Sequence, residues 1–124
     1  MKKILIGTHN KGKFKEISYL LSKKFAKISP EKLNIKSPKE TGKTFKSNAI
    51  LKANYFSKYT DLPVISDDSG LSIKALGGRP GIYSARWAKK YGSFTKAMKF
   101  ILKKMMNKNI DRSATFVCSL CFKF

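Results

Sequence analysis

The chain has 124 residues, 42% of them hydrophobic, which is enough for a packed core and excludes a disordered tail. No apolar run approaches the roughly 18 residues of a membrane span, the N-terminus is too polar for a signal peptide, and two cysteines without an export signal point to a reducing compartment, the cytoplasm. The formal net charge is +20, from 27 basic and 7 acidic residues. Only Arg79, Arg86 and Arg112 among those basic residues are arginines, the type best suited to reading base edges, and the lysines do not gather into one run. The charge therefore reads as solvated lysine faces with weak, salt-sensitive affinity for polyanions, ahead of a dedicated nucleic-acid module.

In chain order, residues 2–7 (Lys3-Ile4-Leu5-Ile6) form a buried strand that runs into the turn Gly7-Thr8-His9-Asn10-Lys11-Gly12-Lys13. A helix over 12–25 follows, with Phe14, Ile17, Leu20, Leu21 and Phe25 on one face. A strand, a polar glycine turn and a helix N-terminus make an anion site, to which Lys13 adds charge and Asn10 a donor. The turn matches the first part of a P-loop, but Phe14 stands where the magnesium-binding Ser or Thr belongs, so a P-loop is rejected.

Residues 27–36 read as a strand interrupted by Pro30, and 37–43 as a loop. A helix over 44–59 carries a core stripe of Phe45, Ala49, Ala53 and Phe56, with Asn48 and Lys52 four apart on another face. Strand 63–66 then delivers Asp67 and Asp68 into a Ser-Gly turn. Adjacent carboxylates repel unless a proton or cation intervenes, so this pair suits a divalent ion at a sheet rim. A short strand over 71–74 leads to the loop Gly77-Gly78-Arg79-Pro80-Gly81, whose glycines let backbone approach a ligand.

Ser93 is the expected N-cap of a helix over 93–106, with Phe94, Ala97, Met98, Ile101, Leu102 and Met105 toward the core. The last strand, 113–124, alternates Phe116, Cys118, Leu120, Phe122 and Phe124 onto one face, which places the Cys118 and Cys121 thiols on opposite faces and argues against a redox or metal CxxC. Strands alternating with helices predict one α/β domain over 1–124.

Three segments in this order resemble the Ham1-like family of inosine/xanthosine triphosphate pyrophosphatases. They are Thr8-His9-Asn10-Lys11-Gly12-Lys13 with Glu16; Glu40-Thr41-Gly42-Lys43-Thr44-Phe45 through Asn48-Ala49 to Lys52-Ala53; and Ser66-Asp67-Asp68-Ser69-Gly70-Leu71 with Leu76-Gly77-Gly78-Arg79-Pro80-Gly81-Ile82-Tyr83-Ser84-Ala85-Arg86. The resemblance implies a central mixed β-sheet flanked by helices. Family members continue beyond this chain into a Phe-Gly-Tyr-Asp type motif and a Ser-His-Arg type motif that hold the base and phosphate. Neither is present, so the sequence is expected to be an incomplete domain lacking its C-terminal part, either a natural early stop or a fragment.

The resemblance implies hydrolysis of ITP, dITP or XTP to the monophosphate and pyrophosphate, with magnesium, which suits oxygen ligands and phosphate. It assigns substrate contacts to Thr8, His9, Asn10, Lys11, Gly12, Lys13, Lys52, Ser69 and Arg86. Asp68 would be general base and metal ligand, with Glu40 a further ligand and Asp67 either a second ligand or a partner of the first. Many members carry the acid one place earlier, where this chain has Lys39, so Glu40 requires a one-residue shift of the loop. His9 is expected at the surface, Glu16 as a favourable charge near a helix start or an orienter of Lys13, and Tyr83 and Trp87 as either base-stacking or packing side chains. The family is usually dimeric. Competing readings are an inactive remnant that binds triphosphate or polyanion, a charge-driven nucleic-acid-binding module, and a pyrimidine-nucleotide pyrophosphatase.

Overall fold

The computed structural model describes residues 1–106 and 111–124. The chain gathers into two compact units, residues 1–68 with 119–124, and residues 69–118.

In the first unit, β1 (Lys2–Ile6) is the central strand. It pairs in parallel with β2 (Phe25–Ile28), Lys2 opposite Phe25 and Leu5 opposite Ile28. On its other edge Leu5 and Ile6 pair in parallel with Val64 and Ile65 of β3 (Val64–Ile73). Parallel strands need covered faces and so read as continuous apolar runs, as Ile4-Leu5-Ile6 does. Leu5, Ile35, Phe56 and Val64 form the core, with Ile28 and Tyr55 packed against it.

Helix α1 spans Lys11–Leu20, shorter than the expected 12–25. It ends where Leu21 turns extended and its N–H meets the Ile17 carbonyl. Phe25 leaves the helical pattern to open β2, because strand pairing with β1 outweighs its helical spacing. Of the expected apolar face only Ile17 is buried, and Leu20 is exposed. The expected strand over 27–36 stops at Ile28. Pro30 starts a 3-10 turn over Pro30–Leu33 that Asn34 closes in the left-handed region (φ 55°). Proline cannot donate to a ladder but suits the first position of a helical turn.

Helix α2 (Phe45–Ser57) opens on a reciprocal cap in which Thr44 and Ser47 satisfy each other's backbone N–H. Its buried face is Asn48, Ala49, Lys52, Ala53 and Phe56, so the two polar residues expected on a separate face share the apolar one.

The second unit takes up β3 at Ser69. Instead of a strand, a turn and a second strand, β3 is continuous through Asp67, Asp68, Ser69 and Gly70. Its later residues pair antiparallel with β4 (Arg79–Pro80), Ser72 opposite Pro80 and Ile73 opposite Arg79, which makes the sheet mixed. Gly77 closes a short 3-10 turn at φ 65° and thereby links β3 to β4, so this glycine serves a chain reversal. An unanticipated helix α3 (Ser84–Tyr91) precedes α4 (Phe94–Met105), which Ser93 caps through Lys96 N–H. Ala97, Ile101 and Met105 of α4 are buried, whereas Phe94, Met98 and Leu102 are exposed, because the helix presents a narrower stripe than expected. Ile73, Leu76, Ile101 and Met105 form the core here, with Leu71 and Trp87 against it. Trp87 therefore packs. β5 (Ala114–Lys123), which belongs to the first unit from Ser119 onward, pairs with β3, and Phe116, Leu120, Phe122 and Phe124 are exposed. Among the described residues no helix is long and apolar enough to cross a membrane.

Candidate active site

The turn after β1 organises its own backbone. Thr8 Oγ1 accepts from the Asn10 N–H at 3.1 Å, and Asn10 Oδ1 accepts from the Lys13 N–H at 3.0 Å as the N-cap of α1. The amides of Lys11 and Gly12, at the first two helical positions, have no intrahelical carbonyl to reach and remain directed out of the helix start. Asn10 thus serves first as a cap. Thr8 is buried, while Lys11 and Gly12 are exposed. His9 is half-buried instead of lying on the surface: its Nδ1 is 3.2 Å from Glu31 Oε1, and its ring sits 6.1 Å from that of Phe56. Glu16 is exposed on α1. A cavity of about 340 Å³ opens on the His9 side of the turn, toward Lys27, Ser29 and Glu31, and none of Lys52, Asp67 and Asp68 lines it.

β3 buries both aspartates, and consecutive strand positions send side chains to opposite sides. Their partners differ accordingly. Asp67 Oδ2 lies 3.3 Å from Lys13 Nζ. Asp68 Oδ2 accepts from Asn48 Nδ2 at 3.2 Å. The carboxylate pair expected in one turn therefore lies on a continuous strand with different direct partners, while the Lys13 charge acts on both. Burial pushes the Asp68 carboxyl above the usual aspartate range; the Asn48 hydrogen bond opposes this, the Glu40 charge adds to it, and the Lys52 and Lys13 ammoniums oppose it. The loop before α2 brings Glu40 in, with its Oε1 2.9 Å from Lys52 Nζ.

The first unit thus joins Lys13, Glu40, Asn48, Lys52, Asp67 and Asp68 through a chain of contacts and charges. Ser69 and Arg86 belong to the second unit, where Ser69 is half-buried on β3 and Arg86 holds its guanidinium 5.0 Å from the Tyr83 ring centroid. The sequence motifs give Asn48 no role in the site. An Asn amid Ala49, Ala53 and Phe56 on a buried face was the available signal.

Among the described residues, no group of three or more His, Cys, Asp or Glu side chains is arranged to hold a metal ion. Magnesium does not require one, since it takes one or two protein carboxylates and fills its shell with water and phosphate oxygens. Asp68 and Glu40 fit that pattern: the Glu40 charge raises the cost of ionising Asp68, and a divalent cation would relieve it. Asp67 pairs with Lys13 as Glu40 pairs with Lys52, so its ion pair does not set it apart from the other two carboxylates.

Residues 4–124 match the model of the Ham1 family. The chain belongs to the Ham1 family. It is 45% identical over 122 residues to the dITP/XTP pyrophosphatase of Haemophilus influenzae, covering 97% of this chain and 63% of that protein. It is 47% identical to the Haemophilus ducreyi protein of the same name, covering 93% and 60%. Among solved structures, a HAM1 protein from Coxiella burnetii matches with a TM-score of 0.86 at 34% identity, covering 98% of this chain and 63% of that one. The Staphylococcus aureus Ham1 protein matches with a TM-score of 0.84 at 38% identity over the same shares. This Ham1 chain therefore spans about 60% of the length of the relatives it matches. The mixed α/β fold implied by the three motifs is the fold of these structures.

Proposed function

We propose that this chain carries the phosphate- and metal-handling part of a pyrophosphatase for non-canonical purine nucleoside triphosphates, converting ITP, dITP or XTP and water to the monophosphate and pyrophosphate. One observation carries the reading: all three Ham1-like motifs bring charged or polar side chains to bear on Asp68, through Lys13 from the first, Glu40, Asn48 and Lys52 from the second, and β3 from the third. The names of the relatives agree with it.

In this reading the outward amides of Lys11 and Gly12, with Lys13 and Lys52, bind the triphosphate. Thr8 and Asn10 hold the turn in shape, and the roles of Ser69 and Arg86 as substrate contacts rest on the motif resemblance alone. Asp68 accepts the proton of the attacking water, and a raised proton affinity suits a general base. Glu40 and Asp68 would hold magnesium, which neutralises phosphate charge and lowers the pKa of water. Lys13 and Lys52 supply charge to a leaving pyrophosphate. We place the reaction in the cytoplasm, and the net charge of +20 speeds encounter with anions generally.

Pyrophosphate release from dITP, XTP and dGTP, with and without magnesium, tests the proposal on the 124-residue chain and its Asp68→Asn variant. Magnesium-dependent turnover of dITP and XTP over dGTP, absent in the variant, is the expected result. A folded chain that binds dITP without releasing pyrophosphate would overturn it in favour of a binding role.

A further inference from the structure

Asn48 is 1% exposed on the inner face of α2, among Ala49, Ala53 and Phe56. An amide buried there must satisfy both ends or cost stability, and an apolar residue would fill the position with no such demand. Both ends are satisfied by groups from two other segments. Asn48 Oδ1 accepts from the Gly42 N–H at 2.8 Å, and Nδ2 donates to Asp68 Oδ2 at 3.2 Å. The amide's orientation follows from chemistry: Gly42 can offer only a donor there, so the oxygen faces the loop and the NH2 faces the carboxylate. Gly42 lies directly on this side chain, since a Cβ at Gly42 would be driven into Asn48 and Ser47. Glu40 is two residues away on the same loop, and Lys52, one turn along α2, holds its carboxylate at 2.9 Å.

We infer that Asn48 is a positioning residue that ties the Glu40 loop to Asp68 and so presets the separation of the two carboxylates for a small divalent ion. The inference rests on the metal reading proposed above. A preset separation has a consequence that general stabilisation lacks. Magnesium demands near-ideal octahedral geometry, and manganese, which takes the same octahedral oxygen shell, stands in for it as a probe, whereas calcium accepts flexible and irregular shells. Slackening the tie should penalise the small ion selectively.

The test is Mn2+ and Ca2+ binding by calorimetry, with Mn2+ EPR linewidth as a second reading, on the 124-residue chain without nucleotide. Asn48→Leu keeps similar volume and removes both hydrogen bonds. Its Mn2+ affinity should fall about tenfold or more, the usual effect of losing a partner of a metal ligand. Its Ca2+ affinity should change little, and the bound Mn2+ spectrum should broaden. Unchanged Mn2+ affinity, or equal losses for both ions, overturns the inference. If Asn48→Leu shows no cooperative melt, Gly42→Ala displaces the same contact from the loop side and is read against the same outcomes. Glu40→Gln and Asp68→Asn mark the site: should they bind Mn2+ like the parent, the metal reading itself fails and takes this inference with it.

Discussion

Lys52 Nζ sits 2.9 Å from Glu40 Oε1 while its stem is buried on the inner face of α2. The same ammonium favours the ionised form of Asp68, so one cation compensates two carboxylates that oppose each other. Lys52→Met keeps the stem and removes the charge. The variant should lose about 1–2 kcal/mol of stability, less than for a fully buried pair because Glu40 is partly exposed. Magnesium should recover more melting temperature in Lys52→Met than in the parent, since it would relieve the repulsion that Lys52 no longer offsets. Thermal unfolding with and without 10-fold-varied magnesium reads this as a difference of shifts, on the order of the few degrees expected per kcal/mol. Equal shifts would count against the shared role.

Asp68 adds a pH dependence of definite sign. Burial raises its folded-state pKa above the unfolded value, so the folded chain binds this proton more tightly. Its contribution to stability is therefore greatest at acid pH and declines as pH rises from the unfolded aspartate range through the folded value. Asp68→Asn removes the decline. The variant's melting temperature should exceed the parent's by an amount that is small near about pH 4 and grows toward about pH 7, and magnesium should narrow the gap. Turnover should be abolished in the same variant. A gap that shrinks with rising pH would contradict the burial argument.

Much of this was legible from residue patterns because it depends on local chemistry. The motif order pointed to the family, Thr44 and Ser93 announced helix starts, and Ile4-Leu5-Ile6 read as a buried strand. What was missed depends on distant pairing. Ser69-Gly70 resembles a turn to its neighbours in sequence, yet β3 stays extended through it because β1 and β4 pair with its two ends. Phe25 fits helical spacing with Leu21, but its position opposite Lys2 decides its state. Separating Asp67 from Asp68 follows directly from that continuity, and no local pattern reveals it. His9 likewise owes its half-buried place to Glu31, 22 positions away in sequence.

Gly7 should tolerate nothing larger. A Cβ there would be driven into Ser66 Oγ and the Phe56 ring, both fully buried, so the first turn after β1 has no room to relax. Gly7→Ala should cost about 1–3 kcal/mol, the usual range for overpacking a closed core. Denaturant unfolding would read it as a lower midpoint at unchanged slope. Gly12→Ala, at the exposed helix start, should be far milder, because its Cβ would meet only Asn10 Oδ1 at 3.2 Å.

Lys13 links the turn to β3, since its ammonium lies 3.3 Å from Asp67 Oδ2 and its charge also favours ionised Asp68. Two separable effects follow for Lys13→Met in the proposed reaction. Losing a charged contact to phosphate should raise KM for dITP by about 10–100-fold, the equivalent of about 1.5–3 kcal/mol. Losing the field at Asp68 should raise that carboxyl's pKa further, which moves the acid limb of the kcat profile to higher pH. Asp67→Asn is the matching control. It removes the carboxylate that draws Lys13 toward β3 but leaves the ammonium in place, so its KM change should be smaller. Steady-state kinetics across pH on both variants separates the roles: a KM change without a shifted acid limb in Lys13→Met would confine Lys13 to substrate binding.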